Sequence, residues 1–336
     1  MRCCCRLIVL TVLGALVAPF SGFAAEALKL FPEGVEMRSF RGNAGAVRVL
    51  AEDTGISAVV SPAYGGRVVF YGVEAENLLW LPSRASADSA DSGGHHLDLG
   101  PEARGIPPHP VLSVGQYRTD ISRDFTVALK SLPDPLLGVQ LLKEIVIDPE
   151  TGDLGVSQTI TNVSPQKVSF CHWDRTAVQP GGFVIVPLGA KSRFKKKWAM
   201  ERDDNGKAYY DGDNPESERV DISRGTLFAR ASGAPACIGL DSDSGWIAYA
   251  WRHFLLVKYF PHYRGGNYTD NGCTVKVSWN ERHAELGIVS PEVGLKRGES
   301  YRFPGLWRIV ELKDEVKSFK DARKAARKVP DSPFGR

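Results

Sequence analysis

The feature that most constrains this chain is a long series of short segments with strand character, separated by turn residues, with no helical period between them. They fall at 47–51, 56–60, 67–71, 125–131, 139–147, 156–162, 168–177 and 183–187, then at 226–231, 246–251, 254–260, 273–280, 284–289 and 301–311. In Cys273-Thr-Val-Lys-Val-Ser-Trp279 the odd positions are apolar and the even ones polar, the period of a strand with one buried face. The 254–260 run is nearly all apolar and suits a strand covered on both faces. Strands in this number without helices between them cannot build βαβ units. The pattern predicts an all-β fold, a large antiparallel β-sandwich. A length of 336 residues admits two domains, but all-β domains of this size also fold as one unit. The stretches 83–94 and 199–218 read as long loops within that domain, where sites tend to be built. A helical period appears only at the end. Leu312, Val316, Phe319 and Ala326 share a stripe, and Pro330 terminates it, which predicts one surface helix over 312–329.

The N-terminus sets the compartment. Arg2 and Arg6 precede an apolar run over 7–18, and Ser21, Gly22, Ala24 and Ala25 follow it. That order is a positive segment, a short apolar segment and a small-residue cleavage site, the pattern of a secretory signal peptide. The run is shorter than the ~20 apolar residues a membrane span takes, so no span is expected in the mature protein. Cys3, Cys4 and Cys5 precede the run, whereas a lipid-attachment cysteine would follow it. The expected organisation is a signal peptide over 1–25, a sandwich over 26–312, and a helix and tail over 313–336. The protein is expected to be secreted or periplasmic. Removing the leader leaves Cys171, Cys237 and Cys273, too few for a disulfide scaffold, and takes the formal charge from +3 to +1. A near-neutral chain makes no electrostatic case for nucleic acid.

Several chemistries are excluded by what is missing. The sequence has no phosphate loop with Lys-Ser/Thr, no Gly-x-Ser-x-Gly elbow, no His-Glu-x-x-His, and no Cys-x-x-Cys in the mature chain. No cofactor and no metal is therefore expected. The candidate residues lie on three strand-like segments. His95 and His96 are adjacent, so on a strand they face opposite ways, and one of them is structural. His172 sits in Ser169-Phe-Cys-His-Trp-Asp174, sharing a face with Phe170 and Asp174 while Trp173 points the other way. A His and an Asp on an apolar face are costly unless paired or functional. Glu285 shares a face with Gly287 and Val289, opposite Leu286 and Ile288, and would serve as a general base if it met a pocket. Trp80, Trp173, Trp251 and Tyr259 supply rings on which a sugar could stack.

Four motifs carry a family resemblance. Ser61-Pro-Ala-Tyr-Gly-Gly-Arg-Val-Val-Phe70, continuing to Asn77-Leu-Leu-Trp80, resembles the opening of a galactose-mutarotase-like sandwich, with Arg67 in its Gly-Gly-Arg. Gly93-Gly-His-His-Leu-Asp-Leu-Gly-Pro-Glu102, Tyr268-Thr-Asp-Asn-Gly272 and Ala284-Glu-Leu-Gly-Ile-Val-Ser-Pro291 are similar to stretches of an uncharacterised bacterial family in that superfamily, a domain of unknown function. The resemblance covers most of residues 30–312. It implies the mutarotase-like supersandwich and a carbohydrate or sugar-acid ligand. Aldose mutarotases protonate the ring oxygen with a His and deprotonate the anomeric hydroxyl with a Glu. Carried over, His172 becomes the acid and Glu285 the base, with Arg67, His95, His96, Trp173 and Asp174 around the substrate. Two departures stand out. Trp173-Asp-Arg-Thr follows His172 where the family has Tyr-Phe-Asn-Leu, and the Gly-Gly precedes the His pair instead of following it. The expected function is that of an exported carbohydrate-active protein, aldose 1-epimerase-like in chemistry. The alternative is a non-catalytic carbohydrate-binding protein of the envelope. The enzyme reading requires His172 and Glu285 to face one pocket.

Overall fold

A computed structural model describes residues 32–41, 43–83, 93–101, 109–204 and 207–335. The leader expected over 1–25 lies outside these residues. Two antiparallel sheets dominate, of thirteen and nine strands among the described residues. The larger runs Val35–Phe40, Asn43–Ala51, Ile56–Ser61, Arg67–Val73, His95–Gly100, Val168–Val178, Ala284–Val289, Val275–Trp279, Ala236–Leu240, Ala199–Asp204 and Lys207–Asp211, with two short strands at its margins. The smaller runs Val220–Ser223, Thr226–Arg230, Phe183–Pro187, Trp246–Tyr259, Ser300–Val316, Leu154–Asn162, Val139–Ile147, Thr126–Lys130 and Arg118–Asp120. The all-β sandwich read from the sequence is the observed architecture.

Strand parity builds the core. Val49, Ala58, Val68, Leu97, Leu286 and Val277 of the larger sheet meet Leu141, Ile145, Val156, Leu256 and Trp307 of the smaller one. The alternation seen in 273–279 holds: Val275, Val277 and Trp279 enter this core, and Lys276 and Ser278 take the opposite face. The smaller sheet's other face carries a second cluster. Phe183, Phe228, Leu255 and Val257 pack there against Ala322 and Ala325.

Those two alanines belong to a helix at Phe319–Ala326, shorter than expected. Residues 312–316 continue the strand Ser300–Val316 instead, pairing Val316 with Arg252 beyond a register shift. The helix starts where Ser318 caps it, its Oγ accepting the Asp321 N–H. The apolar stripe at 312–319 thus serves a strand end and a helix start on one cluster. Trp246–Tyr259 joins two expected strands into one, its register shifting where Arg252 adopts φ 51°. The loop expected over 199–218 contains the hairpin Ala199–Asp204 and Lys207–Asp211. Cys171, Cys237 and Cys273 are free thiols.

A charged cleft on the outer face of the larger sheet

The strand Val168–Val178 has a different chemistry on each face. Its even positions enter the sandwich. His172 packs on Tyr301 and Phe303, at ring distances of 4.8 and 5.6 Å. Its backbone N–H donates to Ser290 Oγ at 2.9 Å. Burial lowers its pKa to about 3, so the ring stays neutral. Asp174 forms an ion pair with Lys258 of the smaller sheet, and Lys258 also donates to Thr176 Oγ1 at 2.6 Å. His95 enters from the next strand. Its Nδ1 donates to the Arg175 carbonyl at 3.1 Å, and its ring meets Trp307 edge-on at 4.8 Å.

The odd positions face outward into a charged row. Arg67 Nη1 donates to Gly93 O at 2.8 Å and to His96 Nδ1 at 2.9 Å. Because a guanidinium only donates, His96 carries its proton on Nε2, which lies 3.3 Å from Asp98 Oδ2. Arg175 Nη1 donates to Asp98 Oδ2 at 2.8 Å and its Nε to Glu285 Oε1 at 2.7 Å. Burial, aided by Arg67, pushes His96 down to about 4. Burial alone would raise Asp98, but His96 and Arg175 outweigh it and hold the carboxyl well below its usual range. The Trp173 ring takes two cations, Arg175 at 4.5 Å and Lys276 at 4.1 Å from its centroid. Lys276 also lies 3.4 Å from Asp270. Burial lowers its pKa to about 7, against the opposing pull of Glu285. Gly287 makes room for this contact, since a Cβ there would sit 3.0 Å from Trp173 Nε1 and 2.8 Å from Lys276 O.

Trp173, Arg175, Lys276, Ser278 and Glu285 floor a cleft of about 500 Å³, walled on one side by Glu201 and Arg202. It offers fixed cations, a carboxylate, a hydroxyl and a lysine that shares its proton near neutrality. Such a set suits a polar, hydroxylated ligand and proton transfer to it. Among the described residues no three His, Cys, Asp or Glu side chains are placed to hold a metal ion. His95 and His96 face opposite ways, and the His96–Asp98 pair lies between the guanidinium groups of Arg67 and Arg175. Those cations oppose a metal there.

The structure brings Arg67, His96, Trp173 and Glu285 to one face. His172, Asp174 and His95 are turned into the sandwich, so the expected pairing of His172 with Glu285 across one pocket is not formed. Parity is the reason. Register pairs Ala177 with Glu285 and Arg175 with Gly287, which puts odd residues of the His172 strand beside the Glu285 face. Arg175, Asp98 and Lys276 were missed as site residues. The signal was present: once Trp173 points outward, Arg175 must follow, and Lys276 is a polar position of the cleanest alternating strand.

The two-sheet sandwich is similar in fold to galactose mutarotase-like proteins of known structure. Similar solved structures include the Slr1438 protein from Synechocystis sp. PCC 6803, at TM-score 0.55 and 10% identity over 79% of this chain and 95% of that one. An Escherichia coli K12 protein proposed as an aldose 1-epimerase aligns at TM-score 0.54 and 11% identity, over 77% of this chain and 97% of that one. A galactose mutarotase-like protein from Lactobacillus casei aligns at TM-score 0.53 and 10% identity, over 79% of this chain and all of that one. At such identities the likeness establishes the fold alone. No family model matches the chain, and no curated protein matches it in sequence.

Proposed function

We propose that this is an exported carbohydrate-active protein that takes a sugar or sugar acid in the cleft of Trp173, Arg175, Lys276 and Glu285. The observation that carries the reading is the charged row from Arg67 to Glu285, set on one sheet face of a mutarotase-like fold. The chemistry proposed is aldose 1-epimerisation. Glu285 takes the anomeric hydroxyl proton while an acid protonates the ring oxygen. The ring opens, the C1–C2 bond rotates, and closure returns both protons. With His172 in the core, the acid role falls to Lys276, whose pKa near 7 suits it. Mutarotation followed by polarimetry tests this. Glu285→Gln is expected to abolish catalysis and His172→Phe to preserve it. Equal rates for Glu285→Gln and the wild type would end the catalytic reading.

A second reading, non-catalytic carbohydrate binding, is favoured by one contact. Glu285 already engages Arg175 at 2.7 Å, which occupies the carboxylate a base would use. Glycan binding that survives Glu285→Gln, with no mutarotation, supports it. Export rests on the 7–18 run and its flanks. N-terminal sequencing of the mature protein checks it, and a start near residue 25 is the expected result.

A further inference from the structure

A second cleft, of about 450 Å³, is lined by the second strand of the hairpin Ala199–Asp204 and Lys207–Asp211, whose first strand walls the first cleft. Arg193 and Lys195 line it, with Tyr209, Asp211, Asp213 and Asn271. The cations are held by a built turn. Arg193 N–H donates to Asp241 Oδ2 and Ser192 Oγ to Asp241 Oδ1, both at 2.6 Å. Lys197 N–H donates to the Phe194 carbonyl at 2.9 Å, closing a turn in which Lys197 takes φ 65°. Phe194 and Trp198 are buried at its two ends, while Arg193, Lys195, Lys196 and Lys197 are exposed. No ion pair ties these four cations to a carboxylate among the described residues. The mature chain is nearly neutral, so this is a local concentration of charge.

Two links join this cleft to the first. Arg202 of the first is the cross-strand partner of Tyr209 in the second. The turn at 270–272 serves both, because Asp270 lies 3.4 Å from Lys276 in the first cleft while Asn271 lines the second. Asp270, Asn271 and Gly272 all take positive φ, of 50, 62 and 84°. Gly272 leaves room for the Arg193 guanidinium, which a Cβ would meet at 2.8 Å.

We infer that the ligand is an anionic oligosaccharide, at least two sugar units long, that crosses the hairpin. One unit occupies the first cleft, and a carboxylate or sulfate on the next meets Arg193 and Lys195. This rests on the carbohydrate reading of the first cleft and specifies its substrate class. Tyr209 offers a ring for the second unit. Asp211 and Asp213 offer carboxylate oxygens that accept hydrogen bonds from its hydroxyls.

Calorimetry on the full mature chain tests the inference at 50 and 300 mM salt. The probes are galactose, galacturonic acid, tri-galacturonate, a chondroitin sulfate hexasaccharide, maltotriose and a short DNA duplex. At least one anionic oligosaccharide is expected to bind about tenfold more tightly than maltotriose, a difference of about 1.4 kcal/mol. Arg193→Glu with Lys195→Glu is expected to remove that advantage and leave monosaccharide binding unchanged, and Tyr209→Ala to weaken only the oligosaccharides. The galacturonate and sulfate arms separate the two sources of anion. If monosaccharides bind but maltotriose binds as tightly as both anionic oligosaccharides, or the double variant changes nothing, the inference falls and the cleft reading stands. DNA binding as tight as the oligosaccharides would also overturn it. If no saccharide binds at all, the cleft reading falls and takes this inference with it.

Discussion

Arg175 binds Glu285 through Nε at 2.7 Å, across two paired strands, while its Nη1 holds Asp98 at 2.8 Å. One guanidinium therefore neutralises two buried carboxylates that have no other cation as close among the described residues. Burial disfavours its charge, but the two carboxylates outweigh that and keep it protonated. Replacing Arg175 by Met leaves both carboxylates in a low-dielectric floor. The expected loss is about 3–5 kcal/mol, read as a lower urea midpoint. Arg175→Met with Asp98→Asn and Glu285→Gln together should recover most of it. A single variant as stable as the wild type would show that the row carries no such coupling.

His172 makes a pH prediction. Its ring is held neutral with a pKa of about 3, whereas an imidazole in an unfolded chain titrates near 6.5. Between those values the unfolded state binds a proton that the native state does not. Stability is therefore full above about pH 6.5 and falls as the pH drops toward 3. His96, at about 4, acts in the same direction. His172→Phe should flatten the decline in thermal midpoint between pH 7 and 4.5 and leave ligand binding within about twofold, since its site packs on Tyr301 and Phe303. A variant that keeps the full acid sensitivity would place its origin elsewhere.

Lys143 makes one of the same sign at higher pH. It is buried in the smaller sheet and donates to Gly65 O at 2.7 Å, and burial lowers its pKa to about 7. From about pH 7 to 10.5 the unfolded chain keeps a proton that the native state has released, so this group makes stability rise with pH over that window. Urea midpoints at pH 7, 8 and 9 should climb in the wild type more steeply than in Lys143→Met. Parallel slopes would refute the assignment.

Gly287 tests the cleft floor without touching a charge. In Gly287→Ala the new Cβ would meet Lys276 O at 2.8 Å and Trp173 Nε1 at 3.0 Å, so the Lys276 strand must give way and the indole between its two cations is displaced with it by a few tenths of an ångström. The expected cost is about 1–3 kcal/mol in stability, with weaker sugar binding than that loss explains. Tryptophan fluorescence and calorimetry on one sample separate the two effects. Unchanged fluorescence and affinity would mean that the indole position does not matter.

Much of this is legible in the sequence. Alternation in 273–279 and the absence of a helical period carried the fold class, because side-chain period 2 is a local property. The opposite facing of His95 and His96, and of His172 and Trp173, followed from the same rule. The choice of which face of Val168–Val178 meets Glu285 did not. It depends on the pairing of residues more than a hundred positions apart, such as Ala177 with Glu285, and no local pattern encodes that. Family resemblance pointed to His172, which lies on the face turned away from Glu285. The interior polar cluster was hidden for a related reason. Lys258 sits in an apolar run as if it were an exception, and only its pairing with Asp174 of the facing sheet makes its burial tolerable.

The strand Val168–Val178 divides its duties residue by residue. Phe170, His172, Asp174 and Thr176 fasten the two sheets together, while Trp173 and Arg175 meet whatever enters the cleft. A change at Trp173 therefore bears first on the cleft, whereas a change at Arg175 bears on cleft and scaffold together, because its guanidinium also holds Asp98 and Glu285. Codons on the other parity would answer to packing alone. Across relatives of this chain, the two sets should drift at different rates and for different reasons, so that one short strand records both the history of a fold and the history of a cleft.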